Sequence, residues 1–236
     1  MTEWKFSPAR DLALAPSDRW RSLARERGLF ELAANGLWRR VLRLYLAVAH
    51  RLEVTGRENL PAPPFCMIGN HTSHLDALTF AAALRGDAAR AAHALAAEEV
   101  FFGSDATAAF AAYAINALPV RRGRTTRGEI ETLRSRLVED RLVYILFPEG
   151  TRSRSGEPGE FKPGLATLVL GSDVPVVPCW LDGAHAAWPP DRKWPRPGKL
   201  SLSIGKPLRF GDLPANAAGR AALTAAAREA VLALRP

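Results

Sequence analysis

Cysteine is scarce in this chain of 236 residues: there are two, Cys66 and Cys179. Each sits in an apolar run of strand type, so the expected picture is two buried thiols in a reducing compartment rather than a disulfide framework. Neither cysteine pairs with a histidine in the sequence, which removes the usual signature of a thiol nucleophile. Long apolar runs are missing too. The opening stretch "MTEWKFSPARDLALAPSDRW" is charged throughout and has no apolar signal-peptide centre. No window reaches the ~18 to 20 uncharged apolar residues of a spanning helix. The nearest, "ATAAFAAYAINALPV" (106–120), is short and interrupted by Asn116 and Pro119. The chain is therefore expected not to cross a membrane. Internal repeats are lacking, as are a nucleophile elbow G-x-S-x-G, a P-loop and a G-x-G-x-x-G fingerprint.

What is present is ordinary globular composition with an unusual charge. Hydrophobic residues make up 47% and charged residues 24%, which speaks against disorder. The length suffices for one large α/β domain or two small ones. A formal net charge of +8 and a pI near 10.2 point to an anionic partner: nucleic acid, a phosphorylated substrate or an anionic membrane surface. Solvated arginine-rich faces are the competing explanation.

From Val54 onward, short apolar runs alternate with helix-like stretches. Strands are expected at 52–56, 65–69, 93–97, 118–122, 142–147, 174–180 and 200–204. Helices are expected near 75–85, 98–115, 125–139, 163–171 and 216–234. This alternation predicts an α/β fold with a mixed, mostly parallel sheet flanked by helices. The prolines of "VPVVP" (174–178) place that strand at an edge or a bulge, and "WPPDRKWPRPGK" (188–199) reads as a surface loop. Before the first strand, "LWRRVLRLYLAVAHRL" (37–52) has helical period. Arg39, Arg40, Arg43, His50 and Arg51 fall on one arc of it, and Leu37, Val41, Leu44, Tyr45, Val48 and Leu52 on the other. The apolar arc packs on the core or lies in a membrane interface.

Three stretches carry candidate chemistry. "NHTSHLD" (70–76) follows the strand at 65–69 and leads into a helix expected to be capped by Thr72 or Ser73. That places His71 at the carboxyl edge of the sheet, where α/β proteins bind ligands. Asp76 can return to the His71 ring, fix its tautomer and leave the other nitrogen as a general base. A metal site would use His71, His74 and Asp76, but the helical pairing of zinc proteases and nearby cysteine ligands are missing, so no metal is expected. "FPEGTRSRSG" (147–156) offers Gly150 for close backbone approach and Arg152 and Arg154 for an anion. "LPVRRGRTTRGE" (118–129) holds four arginines where a strand meets a helix. One base, no side-chain nucleophile and two arginine loops suit deprotonation of a hydroxyl that attacks an already activated electrophile, such as a thioester.

"NHTSHLD" resembles the N-H-x-x-x-x-D block of the glycerolipid acyltransferases. "LPVRRG" (118–123), "FPEGTR" (147–152) and "VPVVP" resemble their second, third and fourth blocks, in the family's order, and "EVTGRENLP" (53–61) is similar to the lead-in strand. The resemblance covers about residues 52 to 210. It implies an enzyme that moves a fatty acyl group from acyl-CoA or acyl-ACP to a lysophospholipid hydroxyl, foremost 1-acyl-sn-glycerol-3-phosphate. It implies His71 as base, Asp76 as its orienting carboxylate, and Glu149, Gly150, Thr151 and Arg152 as contacts to the glycerol-phosphate head. Arg122 is implied as a further phosphate contact, and Lys162 falls where a basic residue often follows the third block. Arg121 departs from the family, which often has aspartate there, so a more cationic pocket is expected. That leaves ornithine-, glycine- or sugar-based lysolipids as alternative acceptors, and a non-catalytic lipid- or anion-binding module and a hydrolase using the same base as the other classes. No cofactor is expected beyond the acyl donor, and no nucleic acid. A peripheral protein on the cytoplasmic face is expected, with residues 1–51 as a helical appendage in the interface, where Arg39, Arg40 and Arg43 meet anionic headgroups, and 52–236 as the acyltransferase domain.

Overall fold

The structure is a computed structural model and describes residues 8–101, 103–121, 123 and 125–236. Seven strands form its sheet: β1 (Glu53–Thr55), β2 (Phe65–Gly69), β3 (Ala92–Ala97), β4 (Leu118–Val120), β5 (Val143–Leu146), β6 (Val176–Asp182) and β7 (Ser201–Ile204). Their spatial order is β1-β7-β6-β2-β5-β3-β4, and only the β6–β7 pair is antiparallel. β2 and β5 are central and buried at every position, as continuous apolar runs require when helices cover both faces.

Alternation along these two strands divides the core. Phe65, Met67, Val143 and Ile145 join Leu42, Leu46 and Phe80 on one face. Cys66, Ile68, Tyr144 and Leu146 join Leu133, Leu137 and Leu223 on the other. Cys66 and Cys179 belong to opposite faces and are both free thiols, so no disulfide joins them.

Of the two placements expected for the strand at 174–180, an edge or a bulge, the structure has the bulge. β6 lies inside the sheet, between β7 and β2. Its prolines are accommodated by a slip in pairing. Val176 opposes Leu208 while Cys179 opposes Ile204, so the partner chain carries one extra residue across Pro178. The missing Pro178 N–H falls in that bulge.

The helices are α1 (Pro16–Trp20), α2 (Leu29–His50), α3 (Asp76–Ala83), α4 (Gly86–Ala91), α5 (Glu98–Phe101), α6 (Asp105–Ala114), α7 (Arg127–Glu139), α8 (Gly164–Val169), α9 (Ala184–Ala187) and α10 (Ala217–Leu232). The single helix expected over 98–115 is two, broken at Gly103 and Ser104, where Ser104 caps α6 by accepting from the Thr107 N–H. α7 begins with a reciprocal capping box between Thr126 and Glu129.

α2 overturns the expected use of its arginines. Arg39 is 4% exposed. Its Nε donates to Asn35 Oδ1 (2.8 Å) and its Nη1 to the Ala81 carbonyl (3.3 Å). Arg43 donates to the carbonyls of Ala82 (3.1 Å) and Leu84 (2.9 Å). Both therefore satisfy the otherwise unpaired carbonyls at the end of α3 rather than facing outward. Between them Leu42 and Leu46 enter the core. The opposite arc is solvent-facing: Leu37, Val41, Leu44, Tyr45 and Val48 are all exposed, Val48 by 73%.

Candidate active site

β2 and β5 are parallel neighbours, so the segments leaving their carboxyl ends, Asn70–Asp76 and Phe147–Arg152, lie side by side. Gly69 makes the first exit possible. A Cβ there would meet the Phe80 ring at 2.4 Å and the Cys179 carbonyl at 2.9 Å. Asn70 fastens the exit to β6, accepting from the Leu181 N–H (2.8 Å) and donating to its carbonyl (2.9 Å).

His71 Nδ1 lies 2.7 Å from Asp76 Oδ2, the geometry expected from the sequence. The same oxygen accepts the backbone N–H groups of Thr72 (2.7 Å) and Ser73 (2.9 Å). The carboxylate thus gathers the turn around itself, and neither Thr72 nor Ser73 caps α3. Leu75 is the N-cap and has no side-chain cap bond, while the Ser73 hydroxyl accepts from the Leu75 N–H instead. An Nδ1–H directed at Asp76 leaves the Nε2 lone pair available. The ring is stacked on Phe147, with centroids 4.2 Å apart and planes 13° apart. Phe147 is braced edge-on by Phe80.

The third block locks His71 from the other side. Buried Glu149 accepts the His71 N–H on Oε1 (2.8 Å) and the Gly159 N–H on Oε2 (2.8 Å). The His71 carbonyl accepts from the Ser153 N–H at 2.7 Å. Glu149 therefore stands differently from the acceptor contact expected of it: both oxygens hold backbone. Burial nevertheless pushes its carboxyl up from the ordinary range, against the opposing pull of those two amides.

The remaining expected residues separate into groups. Gly150 adopts φ +71°, which favours glycine, and the Lys162 side chain covers the face where a Cβ would project. Thr151 is exposed in the loop. Arg152 turns toward His74, its Nη1 2.5 Å from Nδ1 and 2.9 Å from Nε2 of that ring. Arg122 lies outside the described residues. Arg121 does not add an uncompensated charge, since its Nε donates to Glu98 Oε2 (2.7 Å) and Glu129 lies 3.8 Å away. The pocket is less cationic than the missing aspartate suggests. Among the described residues no group of three or more His, Cys, Asp or Glu is arranged to hold a metal.

A cavity of about 490 Å³ opens beside His71. Its deeper walls are apolar, formed by Ala94, Ala96, Ile115, Leu133 and Leu146 among others, and Lys162 and Gly150 also line it. Its helix and β3 walls come from elements that the sequence pattern located without showing that they enclose a space. Phe147, Ser153 and Trp188 carried no role in the sequence, and His74 was weighed only as a metal ligand. His74 and Phe147 sit inside the first and third blocks, Ser153 just after the third, and Trp188 approaches from the proline-rich loop with no local signal.

The family profile described as Acyltransferase matches residues 51–182, more than half of the chain. The chain belongs to this acyltransferase family. Among curated relatives, 1-acyl-sn-glycerol-3-phosphate acyltransferase of Limnanthes douglasii is 40% identical over 76 residues, 32% of this chain and 27% of the relative. The human 1-acyl-sn-glycerol-3-phosphate acyltransferase alpha is 33% identical over 129 residues, 54% of this chain and 44% of the relative. The chain thus spans about a quarter to under half of these relatives. The solved 1-acyl-sn-glycerophosphate (LPA) acyltransferase PlsC of Thermotoga maritima superposes with a TM-score of 0.62 at 25% identity, covering 86% of this chain and 78% of that one.

Proposed function

We propose that this acyltransferase moves a fatty acyl group from acyl-CoA or acyl-ACP to the hydroxyl of an anionic lysolipid, foremost 1-acyl-sn-glycerol-3-phosphate. The observation that carries the reading is the His71–Asp76 pair at 2.7 Å beside an apolar cavity of about 490 Å³. Nε2 of His71 takes the acceptor's hydroxyl proton as its oxygen attacks the thioester carbonyl. Asp76 stabilises the imidazolium that results. The tetrahedral intermediate collapses with cleavage of the C–S bond, and the departing thiolate recovers the proton from His71. No acyl-enzyme is needed. The two cysteines are buried, and burial pushes the Cys66 thiol up to about 12, far from a reactive thiolate.

The cavity takes an acyl chain, and Lys162 and Gly150, which line it, together with Arg152 and Arg122 meet the acceptor's phosphate. The names of the relatives support lysophosphatidate as the acceptor. The exposed apolar arc of α2 lies in a membrane interface. Arg40, Arg57 and Arg85, all close enough to Arg43 to disfavour its charge, form the cationic fringe that meets anionic headgroups on the cytoplasmic face. These replace Arg39, which is committed to the interior.

The test is radiolabelled acyl-CoA and acyl-ACP offered with a panel of lysolipids, products resolved by thin-layer chromatography. Labelled phosphatidate from lysophosphatidate is expected. Release of free fatty acid without an acceptor would make the protein a hydrolase, and binding without turnover a lipid-binding module.

A further inference from the structure

His74 occupies the middle of the first block, and its surroundings give it a job separate from that of His71. The residue is fastened to the proline-rich loop at three points. Its backbone N–H donates to the Trp188 carbonyl (3.2 Å), and its ring lies against the Trp188 indole, with centroids 4.9 Å apart. Its Nε2 lies 3.3 Å from the Pro190 carbonyl. The neighbouring Ser73 hydroxyl donates to the same Trp188 carbonyl (2.7 Å), and the indole N–H donates to the Arg192 carbonyl (2.9 Å), so the support is itself anchored.

Arg152 Nη1 lies 2.5 Å from Nδ1 and 2.9 Å from Nε2 of the ring, nearer to Nε2 than the Pro190 carbonyl at 3.3 Å. A neutral imidazole keeps one bare ring nitrogen that can accept. A guanidinium only donates. The contact is therefore chemically complete with a neutral ring, and a protonated ring destroys it twice over: the acceptor is lost and two cations are pressed together. The other charged or titratable groups that act on His74 are Asp76, which favours its charge, and His71, which opposes it. Burial and Arg152 weigh most, and both push its pKa down.

We propose that His74, as a neutral ring, is a positioning residue that aims the Arg152 guanidinium at the acceptor's anionic head. This rests on the reading of Arg152 as the head-group contact. The loop at 188–190 thereby acts on acceptor binding without touching the acceptor, and lowering the pH through the titration of His74 releases Arg152 and weakens acceptor use.

Three variants and one spectrum test this. His74→Phe keeps a ring against Trp188 but removes the acceptor lone pair. It should raise the acceptor KM about 10-fold with little change in kcat, the pattern of lost uniform binding. His74→Asn, whose Oδ1 can stand near the position of Nδ1 and cannot titrate, should restore KM to within about threefold and abolish its rise in acid. An acceptor with a phosphodiester head, whose charge is constant over this range, separates the protein's titration from that of a phosphate monoester. In an Arg152→Ala background, His74→Phe should change the acceptor KM no further. Independently of turnover, the ¹⁵N resonances of His74 should show a neutral ring at neutral pH, and its titration should move to higher pH on Arg152→Ala. Additive effects of the two substitutions, or a His74 titration indifferent to Arg152→Ala, overturn the proposal. If no lysolipid is acylated at all, the functional reading fails instead, while the spectrum still decides whether the contact exists.

Discussion

Glu149 Oε1 accepts the backbone N–H of His71 at 2.8 Å, so the carboxylate of one sequence block holds the main chain of another. The two residues are 78 positions apart and meet because β2 and β5 are parallel neighbours. Its second oxygen holds Gly159. Glu149→Gln replaces one acceptor with an amide NH₂ that must face a backbone N–H. Loss of a charged, buried bond costs about 1.5 to 3 kcal/mol. Expected is a lower melting temperature together with a fall in kcat as His71 loses its placement. Unchanged kcat in a folded Glu149→Gln protein would show that the brace does not set the base.

Removing the base itself should be costlier. His71→Ala is expected to lower kcat by about 10² to 10⁴-fold. Asp76→Asn should also lower kcat, and the double variant should be no worse than His71→Ala alone, because the two side chains act as one unit. Steady-state kinetics of the three proteins decides this. Independent, additive losses would separate Asp76 from the base.

Acid stability should report on His93, which is buried with Nδ1 on the Ala91 carbonyl (2.9 Å). Burial, then Arg27, depress its pKa well below the ordinary 6.5, with Arg25 and Arg136 adding to the effect. The folded state therefore binds fewer protons than the unfolded chain below 6.5. Stability from this group is complete above that pH and declines as the pH falls toward the depressed value. Melting temperature measured from pH 7.5 to 5 should drop, and His93→Gln should flatten the slope. An equal slope in the variant would assign the acid sensitivity to other groups.

The face of α2 gives a paired prediction. Leu44→Glu with Val48→Glu should abolish flotation with anionic liposomes and leave the melting temperature nearly unchanged, because both side chains are already exposed, Leu44 by 65%. Arg40→Glu with Arg85→Glu reverses two charges, a change of four units of about 1 kcal/mol each, and should weaken flotation by about three decades. Arg39→Glu behaves differently: it places a carboxylate against the carbonyl of Ala81 and should unfold the protein. Flotation unaffected by the Leu44/Val48 pair would move the membrane contact elsewhere.

Sequence alone determined the strand runs, the mostly parallel sheet and the His71–Asp76 pair. Each depends on short-range rules: buried parallel strands are continuous apolar runs, and five residues suffice to bring an aspartate in the first helical turn back to a histidine at a strand end. The family blocks likewise marked the third loop. Their physical roles did not follow from them. The resemblance implied Glu149 as a head-group contact, and nothing in its local sequence shows that its carboxylate bonds two backbone amides. Arg39 looked like a headgroup contact because helical period fixes which side chains share an arc but not which arc is buried. That was decided by the carbonyls ending α3, which offered the guanidinium partners that a membrane surface does not supply in the interior. The same holds for His74 and Trp188, more than a hundred residues apart, whose contact depends on where β6 delivers the following loop. Local pattern specified the elements and the His71–Asp76 pair, and tertiary packing assigned the remaining polar side chains by where unsatisfied backbone groups had to be met.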